Sequence, residues 1–391
     1  GDGRLDIFRV MITQPQGRLA RLDDRGQIVW LSEKLAPGCG DESGVPVEDL
    51  DGDGKYECVL SHWAATYCID AETGRTKWKA DLETGGEPGP GSWDYPMVVG
   101  HFADPERFAV VVRAGLKVHC LGPDGKSLWT YHLEGQTYGH ELDRYDVDGD
   151  GYHEIFIGRN RNVTALTHDG KLLWEDTTQH NHTDFFVFGD VDADGRCEVI
   201  YDHDGCGGGG PLYVADALTG RRERTADYRS EGLKHAQAMT CADFCPDLPG
   251  LEFACTDKLH SLILFDGRGN VLWKRDVPTS LLSRADWDGD GTPDILNFTV
   301  AVNVDGAFSV WNGQGKRLYA ISWLPSPDRS HATGCGPTLG FGGFAELDGN
   351  GRADVPVAFG PWAFGAPQNL FLMEAPDSPE APQETAGRDR R

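Results

Sequence analysis

The sequence predicts an all-β protein, a β-propeller of four-stranded antiparallel blades, on three observations. An acidic loop recurs along the chain, as Asp49-Leu-Asp-Gly-Asp-Gly-Lys-Tyr-Glu57, Asp146-Val-Asp-Gly-Asp-Gly-Tyr-His-Glu154, Asp190-Val-Asp-Ala-Asp-Gly-Arg-Cys-Glu198, Asp286-Trp-Asp-Gly-Asp-Gly-Thr-Pro-Asp294 and Glu346-Leu-Asp-Gly-Asn-Gly-Arg-Ala-Asp354. Degenerate copies at 101–108 and 243–252 complete a beat of about 44 to 60 residues, the interval of propellers and solenoids. A second motif, a glycine-containing turn followed by an aromatic, keeps the same beat. It ends on Trp30, Trp78, Trp129, Trp174, Trp273 and Tyr319, and the copy at 216–224 has lost its aromatic. Composition agrees, since 51 Gly and 11 Trp against 4 Met describe turn-rich β-structure rather than helix.

Each repeat reads as strand a, acidic loop, strand b, strand c, hairpin, strand d. The glycines let the acidic loop curl tightly, and the apolar run straight after it, Ile155-Phe-Ile157 for example, is strand b. Asp-Gly and Asn-Gly pairs between apolar runs are hairpin turns, which places strands c and d. A tryptophan at a fixed offset behind that hairpin is inter-blade core rather than a sugar platform. Four such strands make a blade, and ring closure protects the sheet edges. The first unit lacks strand a and the last, after Asn369-Leu-Phe-Leu-Met373, lacks strand d. Eight blades fit this tally, with seven plus a closing pair as the alternative. Residues 1–375 form one propeller domain in this reading, and the Pro-, Glu- and Arg-rich residues 376–391 form a disordered tail.

The 391 residues carry 62 acids and 36 bases, a net charge of −26, which argues against wrapping a nucleic-acid backbone. No apolar run reaches the ~18 residues that span a bilayer, so no membrane insertion is expected, and the expected state is a monomer. The chain opens inside what resembles another acidic loop, Gly1-Asp-Gly-Arg-Leu-Asp6. A signal peptide is expected upstream and an extracellular location with it. The ten cysteines permit disulfides there, and none falls in a CxxC zinc pattern. Cys58 and Cys68, on consecutive strands, are either bridged or two buried small apolar residues.

Short oxygen-bearing side chains at alternate positions of a tight loop, closed by one more acid, suit a hard cation such as Ca2+, which takes six to eight oxygen ligands. The candidate ligands are Asp49, Asp51, Asp53 and Glu57; Asp146, Asp148, Asp150 and Glu154; Asp190, Asp192, Asp194 and Glu198; Asp286, Asp288, Asp290 and Asp294; and Asp348, Asn350 and Asp354. The plainer reading of the same carboxylates is a set of solvated turns.

These loops resemble the calcium-binding repeats of integrin-type propellers, the FG-GAP or VCBS type. The stretches from His182 to Gly195 and from His235 to Glu252 resemble, more specifically, the rhamnogalacturonan lyase group, which belongs with the ulvan lyases and rhamnose-glucuronate lyases. That resemblance implies a polysaccharide lyase that cleaves an acidic, rhamnose- or uronate-bearing polysaccharide or oligosaccharide by β-elimination, with Ca2+ in the scaffold. A non-catalytic, calcium-stabilised adhesion or carbohydrate-binding propeller is the alternative. The Gly-Lys-Leu-Leu-Trp174 type of repeat suggests a third reading, a quinoprotein-like dehydrogenase.

Strand order predicts where chemistry would collect. In a four-stranded up-and-down blade the a–b and c–d connections share one face, so the acidic loops occupy the back, and the b–c and d–a loops form the opposite face. Cleaving a uronate chain by elimination requires neutralising the carboxylate, removing the neighbouring proton and protonating the departing oxygen. Arg113, Arg159 and Arg161 are candidates for the first task, since guanidinium forks match a carboxylate. His62, Tyr138 and His140 are candidates for proton transfer. Trp63, Asp94, His182, His203, His235 and Lys258, mapped to the same loops, are candidates for binding substrate. Strand-end arginines could instead pair with the abundant acids, and His180, His182, Asp184, His203 and Asp204 could instead hold a cation.

Overall fold

The computed structural model describes residues 7–13, 16–23, 27–35, 45–62, 65–85, 97–135, 141–159, 162–178, 183, 185–202, 211–226, 236–257, 261–277, 281–298, 307–322, 335–337, 355–361 and 369–373. They form thirty strands in eight sheets of sequential, antiparallel order. The first sheet has three strands, β1 (Ile7–Thr13), β2 (Gln16–Leu22) and β3 (Ile28–Leu31). Six four-stranded sheets follow. They are β4 (Val47–Glu48), β5 (Glu57–His62), β6 (Ala65–Asp70) and β7 (Thr76–Asp81); β8 (Met97–Asp104), β9 (Arg107–Ala114), β10 (Lys117–Leu121) and β11 (Ser127–His132); β12 (Leu142–Tyr145), β13 (Glu154–Gly158), β14 (Val163–Leu166) and β15 (Leu172–Asp176); β16 (Phe186–Gly189), β17 (Glu198–Asp202), β18 (Leu212–Asp216) and β19 (Arg222–Ala226); β20 (Ala236–Ala242), β21 (Glu252–Asp257), β22 (Ser261–Phe265) and β23 (Val271–Arg275); and β24 (Leu281–Ala285), β25 (Asp294–Phe298), β26 (Ala307–Trp311) and β27 (Arg317–Ser322). The last sheet again has three, β28 (Cys335–Pro337), β29 (Val355–Pro361) and β30 (Asn369–Met373).

Burial follows position in the sheet. The middle strands β13 and β14 are buried at every residue, because both their faces meet neighbouring sheets, and they read as continuous apolar runs. The outer strands β7 and β11 alternate with solvent. The core is accordingly a chain of clusters, each spanning two consecutive sheets. Phe102 and Val111 of the third sheet pack with Ile155 and Ile157 of the fourth, and Ile200 and Val214 of the fifth pack with Phe253 and Ile263 of the sixth.

One repeated joint carries the tryptophan of each hairpin motif, Trp30, Trp78, Trp129, Trp174 and Trp273. At each c–d hairpin of the second to seventh sheets the register shifts by a bulge, as between Cys68 and Ile69 or Ala165 and Leu166, next to a left-handed glycine such as Gly74, Gly170 or Gly220. The tryptophan of the preceding sheet lies over that glycine: a Cβ on Gly220 would fall 2.5 Å from Trp174, and one on Gly170 2.6 Å from Trp129. Its indole N–H then donates to the same hairpin, Trp30 to Ala71 O, Trp78 to Pro123 O, Trp129 to His168 O, Trp174 to Ala217 O and Trp273 to Gly313 O. The tryptophans are inter-sheet fasteners, as the fixed offset predicts. Where the aromatic is lost, Arg224 takes over and donates to Gly267 O at 3.0 Å.

Cys58 and Cys68 are free thiols in opposed strands, each paired with a residue other than its candidate bridge partner. Burial pushes both up in pKa, and they act as small core residues. Among the described residues no helix is long and apolar enough to cross a membrane. Residues 376–391 lie outside the described residues.

Candidate functional site

The acidic loops share one hydrogen-bonded design. The first aspartate clamps the loop's own backbone: Asp146 Oδ1 accepts from the Gly149 and Asp150 N–H groups and Oδ2 from Gly151, and Asp286 does the same for Gly289, Asp290 and Gly291. The fifth residue accepts from the seventh, Asp53 from Lys55 and Asp290 from Thr292. The closing acid begins strand b and turns inward, where one oxygen accepts the second residue's N–H. The pairs are Glu57 with Leu50, Glu154 with Val147, Glu198 with Val191 and Asp294 with Trp287. Glu252 closes the degenerate loop in the same way, through Cys245.

Burying that closing carboxyl raises its pKa. Burial first, and the neighbouring loop aspartates after it, push Glu154, Glu198 and Asp294 to about 7. Glu198 is 0% exposed and its Oε1 has no hydrogen-bond partner. Ligand atoms of Asp49, Asp51 and Asp53, of Asp146, Asp148 and Glu154, of Asp190, Asp192 and Asp194, and of Asp286, Asp288 and Asp290 lie within 4.8 Å of one another. An all-carboxylate set with an orphaned buried oxygen fits a hard cation. Asp150 completes the 146–154 loop in sequence. Asp348, Asn350 and Asp354 lie outside the described residues.

The opposite ends of the b strands carry the other candidates. Arg113 lies in β9, 3% exposed, and its Nη1 donates to Gly158 O of the next sheet at 3.4 Å. Arg159 follows directly after β13 and is 2% exposed. Its Nη2 donates to Glu175 Oε1 at 2.7 Å and to Thr164 Oγ1 at 3.0 Å, and its Nη1 to Glu134 O at 2.5 Å. Asn162 and Thr164 converge on the same Glu175 oxygen. Burial lowers the Arg159 pKa against the pull of Glu175, yet a guanidinium stays charged throughout. In this arrangement the Arg159 fork is occupied by protein, so a substrate carboxylate would have to compete with Glu175. Arg113 and Arg159 thus meet at one junction between the third and fourth sheets.

Two buried acids end neighbouring strands on that side, Asp202 of β17 and Asp257 of β21. Neither Asp257 nor Glu175 stood out in sequence, where single acids following apolar runs carry no distinguishing spacing. His62 closes β5, with its side chain outside the description. Trp63, Asp94, Tyr138, His140, Arg161, His180, His182, Asp184, His203, Asp204, His235 and Lys258 lie outside the described residues. A groove of about 460 Å³ lies on the acidic-loop side, between Cys245–Leu248, Trp273 and the Gly313–Gln314 turn, away from the strand-end arginines.

Sheet order and repeated loop define the class: an all-β protein of propeller architecture. Within that class, residues 65–234 match the family model of the outer membrane protein assembly factor BamB. A rhamnogalacturonan endolyase of Bacillus subtilis, YesW, is 31% identical over 245 residues, 59% of this chain and 35% of that protein. The chain therefore spans about a third of the length of the curated relative it matches. The rhamnogalacturonan lyase PL11 of Bacillus licheniformis superposes with a TM-score of 0.63 at 19% identity, over 94% of this chain and 69% of that one. Sqt1 of Saccharomyces cerevisiae superposes with a TM-score of 0.61 at 12% identity, over 95% and 98%. The chain is a β-propeller related in sequence to a rhamnogalacturonan lyase, and the more distant superpositions speak to fold alone.

Proposed function

We propose that this chain is a polysaccharide lyase that cleaves a uronate-containing, rhamnose-bearing glycan by β-elimination at the face opposite the acidic loops. The observation that carries the proposal is the 31% identity to a rhamnogalacturonan endolyase, joined to buried, charged arginines at adjacent strand ends, Arg113 and Arg159. With a substrate carboxylate exchanging for Glu175 at Arg159, a guanidinium fixed at the strand end favours the negative charge that develops when the proton beside that carboxylate is removed. His62 closes the strand of the preceding sheet, and Tyr138, His140 and Arg161 belong to loops that flank Arg159 in sequence. These supply the groups that take and return the proton.

Calcium belongs to the scaffold in this proposal. The carboxylates of the acidic loops, Glu198 Oε1 among them, would hold it, and the ion would cancel the repulsion that crowds them and fix the start of each b strand. The proton transfers depend on the residues of the other face.

The test is a panel of acidic glycans, rhamnogalacturonan, ulvan and gum arabic, incubated with the protein and calcium while the ultraviolet band of a C=C–carboxylate is followed. A rise on at least one polymer supports the proposal. Binding without any rise would favour the adhesion reading instead.

A further inference from the structure

One acidic loop differs from the others, among the described residues, in having a cation on its closing acid. Lys77 of β7 reaches down to the 49–57 loop, where its Nζ lies 2.8 Å from Asp51 Oδ2 and 2.7 Å from Glu57 Oε1. These are the acid at the loop's third position and its closing acid. Their counterparts in the fourth sheet, Asp148 and Glu154, belong with Asp146 to one cluster whose ligand atoms lie within 4.8 Å of one another. Glu57 is nearly buried, its side chain 1% exposed, and Lys77 is held at 29%. Glu57 Oε2 takes the Leu50 N–H, so the ammonium completes the closing acid's hydrogen bonds.

The position is particular to this sheet. In the hairpin motif Lys77 precedes Trp78, and the residues that precede the aromatic elsewhere are Val29, Leu128, Leu173, Leu272 and Leu318. Among the described residues no lysine or arginine pairs with the carboxylates of the 146–154 or 286–294 loops. In the 190–198 loop, Arg224 pairs with Asp192 and Arg196 with Asp194, but among the described residues the closing acid's Glu198 Oε1 has no partner.

We infer that Lys77 is the resident cation of the 49–57 loop: its ammonium fills the position a divalent ion would take, and this loop holds no metal. The inference deepens the calcium reading of the acidic loops and rests on it for the comparison. A tethered cation of charge one bonds Glu57 Oε1 and one oxygen of Asp51 without any dependence on ion concentration, though among the described residues Asp51 Oδ1 keeps no partner. The second sheet is then held when calcium is scarce, while the fourth and seventh depend on it.

The experiment uses the full chain and counts bound calcium by equilibrium dialysis, alongside unfolding in chelator. Asp51→Asn is expected to leave the number of bound ions unchanged, whereas Asp148→Asn removes one. Lys77→Met is expected to lower the folding equilibrium constant in chelator by about tenfold or more, since it strands a buried carboxylate. Calcium should then restore that stability and bind at one additional site, while Lys77→Arg keeps the wild-type behaviour. Loss of an ion in Asp51→Asn, or a Lys77→Met variant as stable as wild type in chelator, would overturn the inference. Should Lys77→Met fail to fold, the Lys77→Met/Asp51→Asn pair decides: recovery of folding supports the charge role, and no recovery contradicts it. Absence of calcium binding in the wild type would sink the calcium reading alone, and the stability of Lys77→Met in chelator would still decide the role of Lys77.

Discussion

Two buried charges set the clearest expectations at the scale of single residues. Arg159 is pinned by Glu175, Thr164 and Glu134, and removing its buried side chain opens a void and takes the donor from Thr164 Oγ1 and the Glu134 carbonyl, while Glu175 stays in solvent. Arg159→Ala is therefore expected to cost about 3 kcal/mol of stability in denaturant unfolding. The double variant Arg159→Met/Glu175→Gln should recover much of that loss, and an unchanged midpoint for Arg159→Ala would show that the pair is not a support. Glu252 is the opposite case, a fully buried carboxyl without a basic partner among the described residues, whose pKa burial raises from 4.5 to about 7. Its folded pKa lies above the unfolded one, so the folded state binds the proton more tightly. The stabilisation is complete below the unfolded value and is lost as pH rises through about 7. Glu252→Gln keeps an acceptor for the Cys245 N–H and should gain about 2 kcal/mol at slightly alkaline pH, with a flatter pH profile. A variant that is weaker than wild type there would contradict the burial argument.

At the scale of elements, the hairpin joint is what locks sheet to sheet. Gly220 sits at φ +67 with Trp174 against its missing Cβ. Gly220→Ala thus meets both backbone strain and a steric clash, and should lose about 2 kcal/mol or more. A neutral result would mean that the indole is free to shift. Chelator should lower the melting temperature through the 146–154 and 286–294 loops, and an unaltered transition would show them to be turns alone. The strand order, the hairpins and the tryptophan role were all legible in the sequence, because Asp-Gly and Asn-Gly pairs, glycine and tryptophan each answer to one local geometric demand. The partners were not. Glu175 reads only as the residue after Trp174, and its meeting with Arg159 requires strands β13 to β15 to be aligned in register. Lys77 likewise reads as one more surface lysine until β7 brings it over the loop that opens β5.

At the scale of the whole molecule, consecutive sheets turn the acidic loops and hairpins to one side and the b–c strand ends to the other. Stabilising carboxylates and strand-end arginines are thereby separated by the length of a strand. This separation makes the two sides separately testable. Arg113→Lys keeps the charge but loses the fork; it should lower kcat/KM on the cleaved glycan about tenfold or more while leaving calcium-dependent melting in place. Equal losses in both would mean that the arginine serves the fold. The measurement that bears most directly on the central claim is mass spectrometry of the products released from rhamnogalacturonan by the calcium-loaded protein. Elimination predicts new non-reducing ends lighter by one water than hydrolysis would give, each carrying the ultraviolet-absorbing double bond. Products with the mass of hydrolysis, or an intact polymer in the presence of folded protein, would contradict it.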